Sequence, residues 1–132
     1  MKLHAPLFPV HVVMGAQRVL EQLAAPLAGL RTALVVTPDG FKIAALQHSE
    51  LNIAKLAAMS SSLVAMGRAV GGELAFTDCR RLVFEAEQGV VVVQPVAAAF
   101  PSLLCFVLGP DAVLGRALWT MGEVTQALRN IR

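Results

Sequence analysis

Charge is scarce in this 132-residue chain. Asp, Glu, Lys and Arg make up 15% of it while 56% is apolar, against roughly 25% charge in an ordinary soluble domain. The mean hydropathy is +0.65. One core fits in a chain of this length, and the polar residues left over are too few to wet a monomer comfortably. Some apolar surface must therefore meet a bilayer or another chain. Tyrosine is absent and aromatics reach only 5%, which leaves no platform for stacking bases. The net charge is +2, and the basic residues are scattered, with Arg80-Arg81 the lone doublet between Asp78 and Glu85. No nucleic-acid partner is expected. Two cysteines, Cys79 and Cys105, make neither a disulfide framework nor a metal cluster, and read as reduced, partly buried thiols of a cytoplasmic chain.

The one long uncharged run, "GVVVVQPVAAAFPSLLCFVLGP" from Gly89 to Pro110, is long enough to span a bilayer. Pro95 and Pro101 would break such a helix twice, and a valine block favours strands, so two buried strands joined by a Pro-flanked loop are expected. The N-terminal "MKLHAPLFP" faintly imitates a leader, but Pro6, Pro9 and His11 interrupt its apolar stretch, so residues 1–9 read as an arm on a single domain spanning 1–132. No membrane insertion is expected.

What is present reads as alternating elements. Residues 10–25 space Val10, Val13, Met14, Leu20 and Leu23 as a helix ended by Pro26 and Gly29. Two apolar runs, 31–37 and 41–46, flank Pro38-Asp39-Gly40 as a hairpin. Ser49 or Asn52 then caps a helix that runs to about Val70 and stops at Gly71-Gly72. "RLVFEAE" alternates, with Leu82, Phe84 and Ala86 on one side and Arg81, Val83, Glu85 and Glu87 on the other, as a half-exposed edge strand does. "VVVVQPV" and "LLCFVLG" are apolar on both sides, as strands inside a covered sheet are. A last amphipathic helix runs from a cap at Asp111, with Arg116, Glu123, Gln126 and Arg129 facing water. The order helix, two strands, helix, three strands, helix predicts an α+β fold with a five-stranded antiparallel sheet.

A search for chemistry finds little. No nucleophile elbow, dinucleotide fingerprint or phosphate loop is present. His4, His11 and His48 have no acid or cysteine at ligand spacing. Ser60, Ser61 and Ser62 sit inside a helix, where hydroxyls bond back to the preceding turn. No catalytic residue, cofactor or metal is expected, and the chain is read as a non-enzyme.

The interaction signal is stronger. In "KLAAMSSSLVAMGRAVGG", residues 55–72, only Lys55 and Arg68 are charged. Ile53, Leu56, Leu63 and Val70 form one stripe suited to a sheet. Another side carries Ala54, Ala58, Ser61 and Ala65, and the side that should be charged carries Lys55, Met59, Ser62 and Met66. Small residues admit another backbone and methionines adapt to whatever packs on them, so the helix is read as buried on two sides, sheet below and partner above. The competing reading is a helix wedged inside its own monomer by the other two, which requires all three helices on one sheet face.

Taken together, "ALVVTPDGFKIA", "KLAAMSSSLVAMGRAV", "RLVFEAEQGVVVVQPV" and "LGRALWTMGEVTQAL" resemble the Roadblock family of dynein light chains and small-GTPase regulators, over residues 10–130. The resemblance implies a profilin-like α-β-β-α-β-β-β-α domain with helices on both faces of the sheet. It also implies a homodimer through the middle helix and third strand, here residues 52–70 and 80–87, joining two sheets into one of ten strands. That interface would draw on Ala54, Lys55, Ala58, Met59, Ser61, Ser62, Ala65, Met66, Arg81, Val83 and Glu85. Bacterial members act on Ras-like small GTPases, including the gliding-motility polarity switch, without needing a catalytic residue of their own. Two other functions stay open: a small-ligand sensor of the same architecture, and a purely structural subunit.

Overall fold

The computed structural model describes residues 8–132, so most of the expected N-terminal arm, with His4, lies outside the described residues. Helix α1 (Val10–Val19) continues through a π-helical turn, Leu20–Ala24. Then come β1 (Leu30–Val36), β2 (Lys42–Gln47), α2 (Ile53–Glu73), β3 (Leu82–Ala86), β4 (Gly89–Val96), β5 (Ser102–Leu108) and α3 (Leu114–Arg129). All strand pairs are antiparallel, in the order β2-β1-β5-β4-β3. This is the expected α+β order, arranged as in profilin-like domains.

β5 lies at the sheet's centre, and Leu103, Leu104, Cys105 and Phe106 along it are all buried. Its alternate residues feed two cores, which is why it is apolar throughout. Leu104 and Phe106 pack with Ala16, Leu20, Met121 and Val124 under α1 and α3. Leu103 and Cys105 pack with Leu34, Val36 and Val93 under Ala57 and Val64 of α2. The helices thus divide two to one across the sheet, and α1 and α3 cannot cover the outer side of α2.

The β1–β2 turn shows how tightly α2 is fitted. Thr37 N–H donates to the Phe41 carbonyl (2.7 Å), Phe41 N–H donates to Thr37 Oγ1 (3.0 Å), and Gly40 takes φ +95°. A Cβ on Gly40 would sit 3.0 Å from Ala58 Cα and 3.2 Å from Ser61 Cβ. Glycine is therefore required twice over, for the left-handed backbone and for the close approach.

Four expectations change. α2 passes through Gly71-Gly72 and ends at Glu73, with Phe76 N–H on the Gly71 carbonyl (2.8 Å), Ala75 N–H on the Gly72 carbonyl (3.2 Å), and Ala75 at φ 60°. That is a Schellman ending with alanine in the left-handed position, where glycine is usual. The inward stripe of α2 is Ala57, Ser60 and Val64, with Ile53, Leu56 and Leu63 on its flanks, while Val70 is 56% exposed. Small residues occupy the inner line because the helix lies close on the sheet. α3 begins at Leu114 behind Val113, without a side-chain cap, and Asp111 lies in the turn before it. Finally, β3 is open on both faces, since α2 does not reach over Phe84, which is 62% exposed.

Candidate interaction surface

Asn52, of the two expected caps, starts α2: its Oδ1 accepts the Lys55 N–H at 3.0 Å. From there the helix lies across one sheet face and offers its other side to the exterior. Ala54, Lys55, Ala58, Met59, Ser62, Ala65 and Met66 are all exposed, Met66 by 64%. Ser61 differs. Its hydroxyl donates to the Pro38 carbonyl at 2.6 Å and it is half-buried, so within the chain it helps to hold the β1–β2 turn. Over its 21 residues α2 is long and apolar enough to cross a bilayer by length and composition, yet Ala57, Ser60 and Val64 are buried against the sheet.

β3 continues this surface to the sheet's edge. Its register with β4 puts Val83 opposite Val92 and Phe84 opposite Val91. Val92 belongs to the α1/α3 core, whereas Val91 packs against the α2 core. Leu82, Phe84 and Ala86 therefore share the α2 face, and Arg81, Val83 and Glu85 the opposite one. The expected interface residues of β3 and those of α2 thus lie on different faces of the sheet. The exposed apolar residues on the face of α2 itself are instead Val70, expected against the sheet, with Phe76 and Phe84, exposed by 56%, 65% and 62%. Alternation in the sequence separates the two sets of β3 residues but carries no sign of which set lies beside the helix. Between α2 and the segment leading into β3, Leu63, Met66, Val70, Phe76 and Leu82 line an open recess of about 410 Å³. A methyl group on Gly67 would crowd Cys79 Sγ at 3.0 Å, so its glycine lets that segment lie close.

The sheet's other edge is finished quite differently. The Gln17 side chain, reaching from α1, donates to the Ala45 carbonyl at 2.8 Å and accepts the Ala45 N–H at 3.1 Å. An amide side chain thus takes the place of a neighbouring strand on β2. Among the described residues no backbone group beyond β4 bonds to β3.

Among the described residues, the polar groups elsewhere mainly tie elements together or bond back to the backbone. Arg81 Nε donates to Gln94 Oε1 (3.2 Å), whose amide donates to Thr125 Oγ1 (2.9 Å), tying the start of β3 to α3. Arginines far apart in the chain, Arg68, Arg80, Arg81 and Arg129, share an open groove of about 820 Å³ with Asp78. Ser60 and Ser62 return their hydroxyls to the carbonyls four residues back, Leu56 and Ala58. Burial pushes the Cys105 thiol from 9.0 up to about 11, with the Ser60 hydroxyl pulling the other way, so it is protonated and inert at neutral pH. Among the described residues no group of three His, Cys, Asp or Glu side chains is placed to hold a metal.

Comparison with known proteins decides the family. The model of the Roadblock/LC7 domain matches residues 17–103. The chain belongs to the Roadblock/LC7 family. Gliding protein MglB from Thermus thermophilus is similar in fold, with a TM-score of 0.82 at 22% identity over 99% of this chain and 97% of that one. An MglB with a tetrameric arrangement matches at TM-score 0.76 and 21% identity, covering 99% of this chain and 96% of that one. A chain of the LokiProfilin1/rabbit actin complex matches at TM-score 0.57 and 14% identity, over 96% of this chain and 100% of that one, in keeping with the profilin-like topology. Curated protein sequences give no match.

Proposed function

We propose that this Roadblock/LC7 domain is a non-catalytic, homodimeric regulator or scaffold for a Ras-like small GTPase in the cytoplasm, its two copies joined through α2 and β3. The observation that carries the reading is the exposed, almost uncharged side of α2 lying beside an unpaired sheet edge. Full burial of a side chain such as Met66, Val70 or Phe84 is worth roughly 1.5–3 kcal/mol, so the patch favours association with another protein. The tetrameric arrangement of the similar MglB supports a self-associating surface.

The GTPase reading is supported by the family and by the likeness to the gliding protein MglB. With no nucleophile, base or metal set among the described residues to contribute, the regulator acts by binding one conformation of its partner more tightly than another. It shifts the partner's nucleotide cycle by that difference in affinity alone. The test is binding of the purified protein to small GTPases encoded in its own genome, loaded with GDP or with a non-hydrolysable GTP analogue. Binding that differs between the two states is expected. A GTPase panel that binds in neither state overturns the GTPase assignment and leaves the dimer to be judged by its mass.

A further inference from the structure

The arginine-lined groove of about 820 Å³ holds more net positive charge than the chain as a whole. Arg68 comes to it from α2, Arg80 and Arg81 from the segment entering β3, and Arg129 from the last turn of α3. Asp78 is the one acid in its lining, which leaves +3 there against +2 for all 132 residues. The dipole of α3 accounts for Arg129, but Arg68 lies inside α2, ahead of its last turn. Cations gathered from separate segments repel one another, and the field they make concentrates anions.

The cations are also of one kind. Lys42 and Lys55 lie elsewhere, and every cation in the groove is an arginine. Guanidinium forks grip phosphate oxygens two at a time, whereas an ammonium acts as a point charge. Arg81 is oriented in advance: its Nε donates to Gln94 Oε1 at 3.2 Å, and Gln94 is held by Thr125 at 2.9 Å. That bond uses one of five N–H donors and leaves both Nη groups for a ligand. A single phosphoryl group carries about −1.5 to −2 at neutral pH and would leave the groove positive. A diphosphate comes closer to balancing it.

A second recess opens from the first. It encloses about 360 Å³ between α2 and the β4–β5 loop, and shares Arg68, Pro95 and Ala97 with the groove. Pro38, Val64, Pro101 and Leu103 are among its other walls. No aromatic side chain lines either space, so neither offers a nucleobase a stacking surface. Aliphatic walls beside an anion site suit a hydrocarbon chain.

We propose that groove and recess together bind a soluble diphosphate ester of an aliphatic chain, the diphosphate on the four arginines and the chain in the recess. The site is independent of the pairing of copies and of the GTPase.

Isothermal titration calorimetry of the intact protein tests it with orthophosphate, pyrophosphate and geranyl diphosphate in one buffer. Pyrophosphate should bind at one site per chain, roughly ten-fold or more tighter than orthophosphate. Geranyl diphosphate should gain roughly another ten-fold or more from burial of its chain. Arg68→Gln and Arg129→Gln should each weaken both diphosphates roughly ten-fold or more. Arg116→Gln, an exposed position of α3 outside the groove, should leave both unchanged. Far-ultraviolet spectra and light-scattering masses like those of the unmodified chain separate a lost site from a lost fold or a lost dimer. The site is overturned by pyrophosphate that does not bind, that binds the Arg68 and Arg129 variants as well as the unmodified chain, or that is weakened equally by Arg116→Gln. Capture by phosphatidic acid vesicles without binding of either soluble diphosphate overturns it too. Equal affinity for pyrophosphate and geranyl diphosphate overturns the part assigned to the recess.

Discussion

At β2 the amide of Gln17 sits where a sixth strand would run and satisfies both backbone groups of Ala45. At β3 the sheet ends with nothing beside it among the described residues, and Phe84 stands largely exposed on the face shared with α2. Unpaired edges invite other strands, and proteins usually blunt them. This chain blunts one and leaves the other open beside a helix whose outer side carries little charge. The open edge is therefore read as a site of assembly, because the same fold shows how it closes an edge when closure is wanted.

The contrast breaks most severely at α2. Ala65→Glu places a charge in the middle of the outer side, where a partner would leave it buried and unpaired at a cost of about 3 kcal/mol or more. Dimer formation in sedimentation or light scattering should fall at least a hundred-fold, with the far-ultraviolet spectrum unchanged because Ala65 is exposed in the single chain. Ser61 is a poorer choice for this experiment, since its bond to Pro38 gives it a second duty inside the chain.

The inner side of α2 answers to pH. Cys105 under Ser60 keeps its proton to about 11, against 9.0 for an ordinary thiol. The native state therefore binds more protons than the unfolded state between those values. Stability to urea should hold below pH 9 and decline as the pH rises toward 11, by up to roughly 2–3 kcal/mol. A Cys105→Ala variant should show a flatter decline over that window.

The closed edge gives a smaller effect. Gln17→Ala removes two bonds to Ala45 and leaves a backbone N–H and carbonyl on β2 without their partner, costing about 1–2 kcal/mol in urea denaturation. If closure of this edge matters for assembly, the variant should also form larger species at high concentration. Smallest of all is Phe84→Ser in the single chain. With the ring already exposed, monomer stability should move by less than about 0.5 kcal/mol, while the dimer weakens measurably.

How much of this was legible in the sequence depends on range. Apolar runs on both sides of Pro38-Asp39-Gly40 gave the hairpin, and the continuous "LLCFVLG" placed β5 inside a covered sheet, because those signals are local and periodic. The scarcity of charge on residues 55–72 marked α2 as a surface to be covered. The faces of β3 were not legible. Alternation distinguishes Leu82 and Phe84 from Arg81 and Val83, but only the pairing with β4 tells which set lies beside α2. The Gln17 bond to Ala45 spans 28 residues and leaves no pattern in either segment. The end of α2 misled because Gly71-Gly72 looks like a stop, whereas the turn is closed by the left-handed Ala75. The α2 stripe was misplaced by a similar route: large apolar residues suggested the sheet-facing line, but close packing selected Ala57 and Ser60 for it.

The dimer proposed for this chain depends on the sparsely charged outer side of α2 and the open β3 edge meeting a second copy. Light scattering of the purified protein beside its Ala65→Glu variant puts that to the test. The expected masses are twice the 14.0 kDa chain mass for the unmodified protein and the single-chain mass for the variant. Equal masses for the two, whether both single or both double, would contradict a dimer built on this surface.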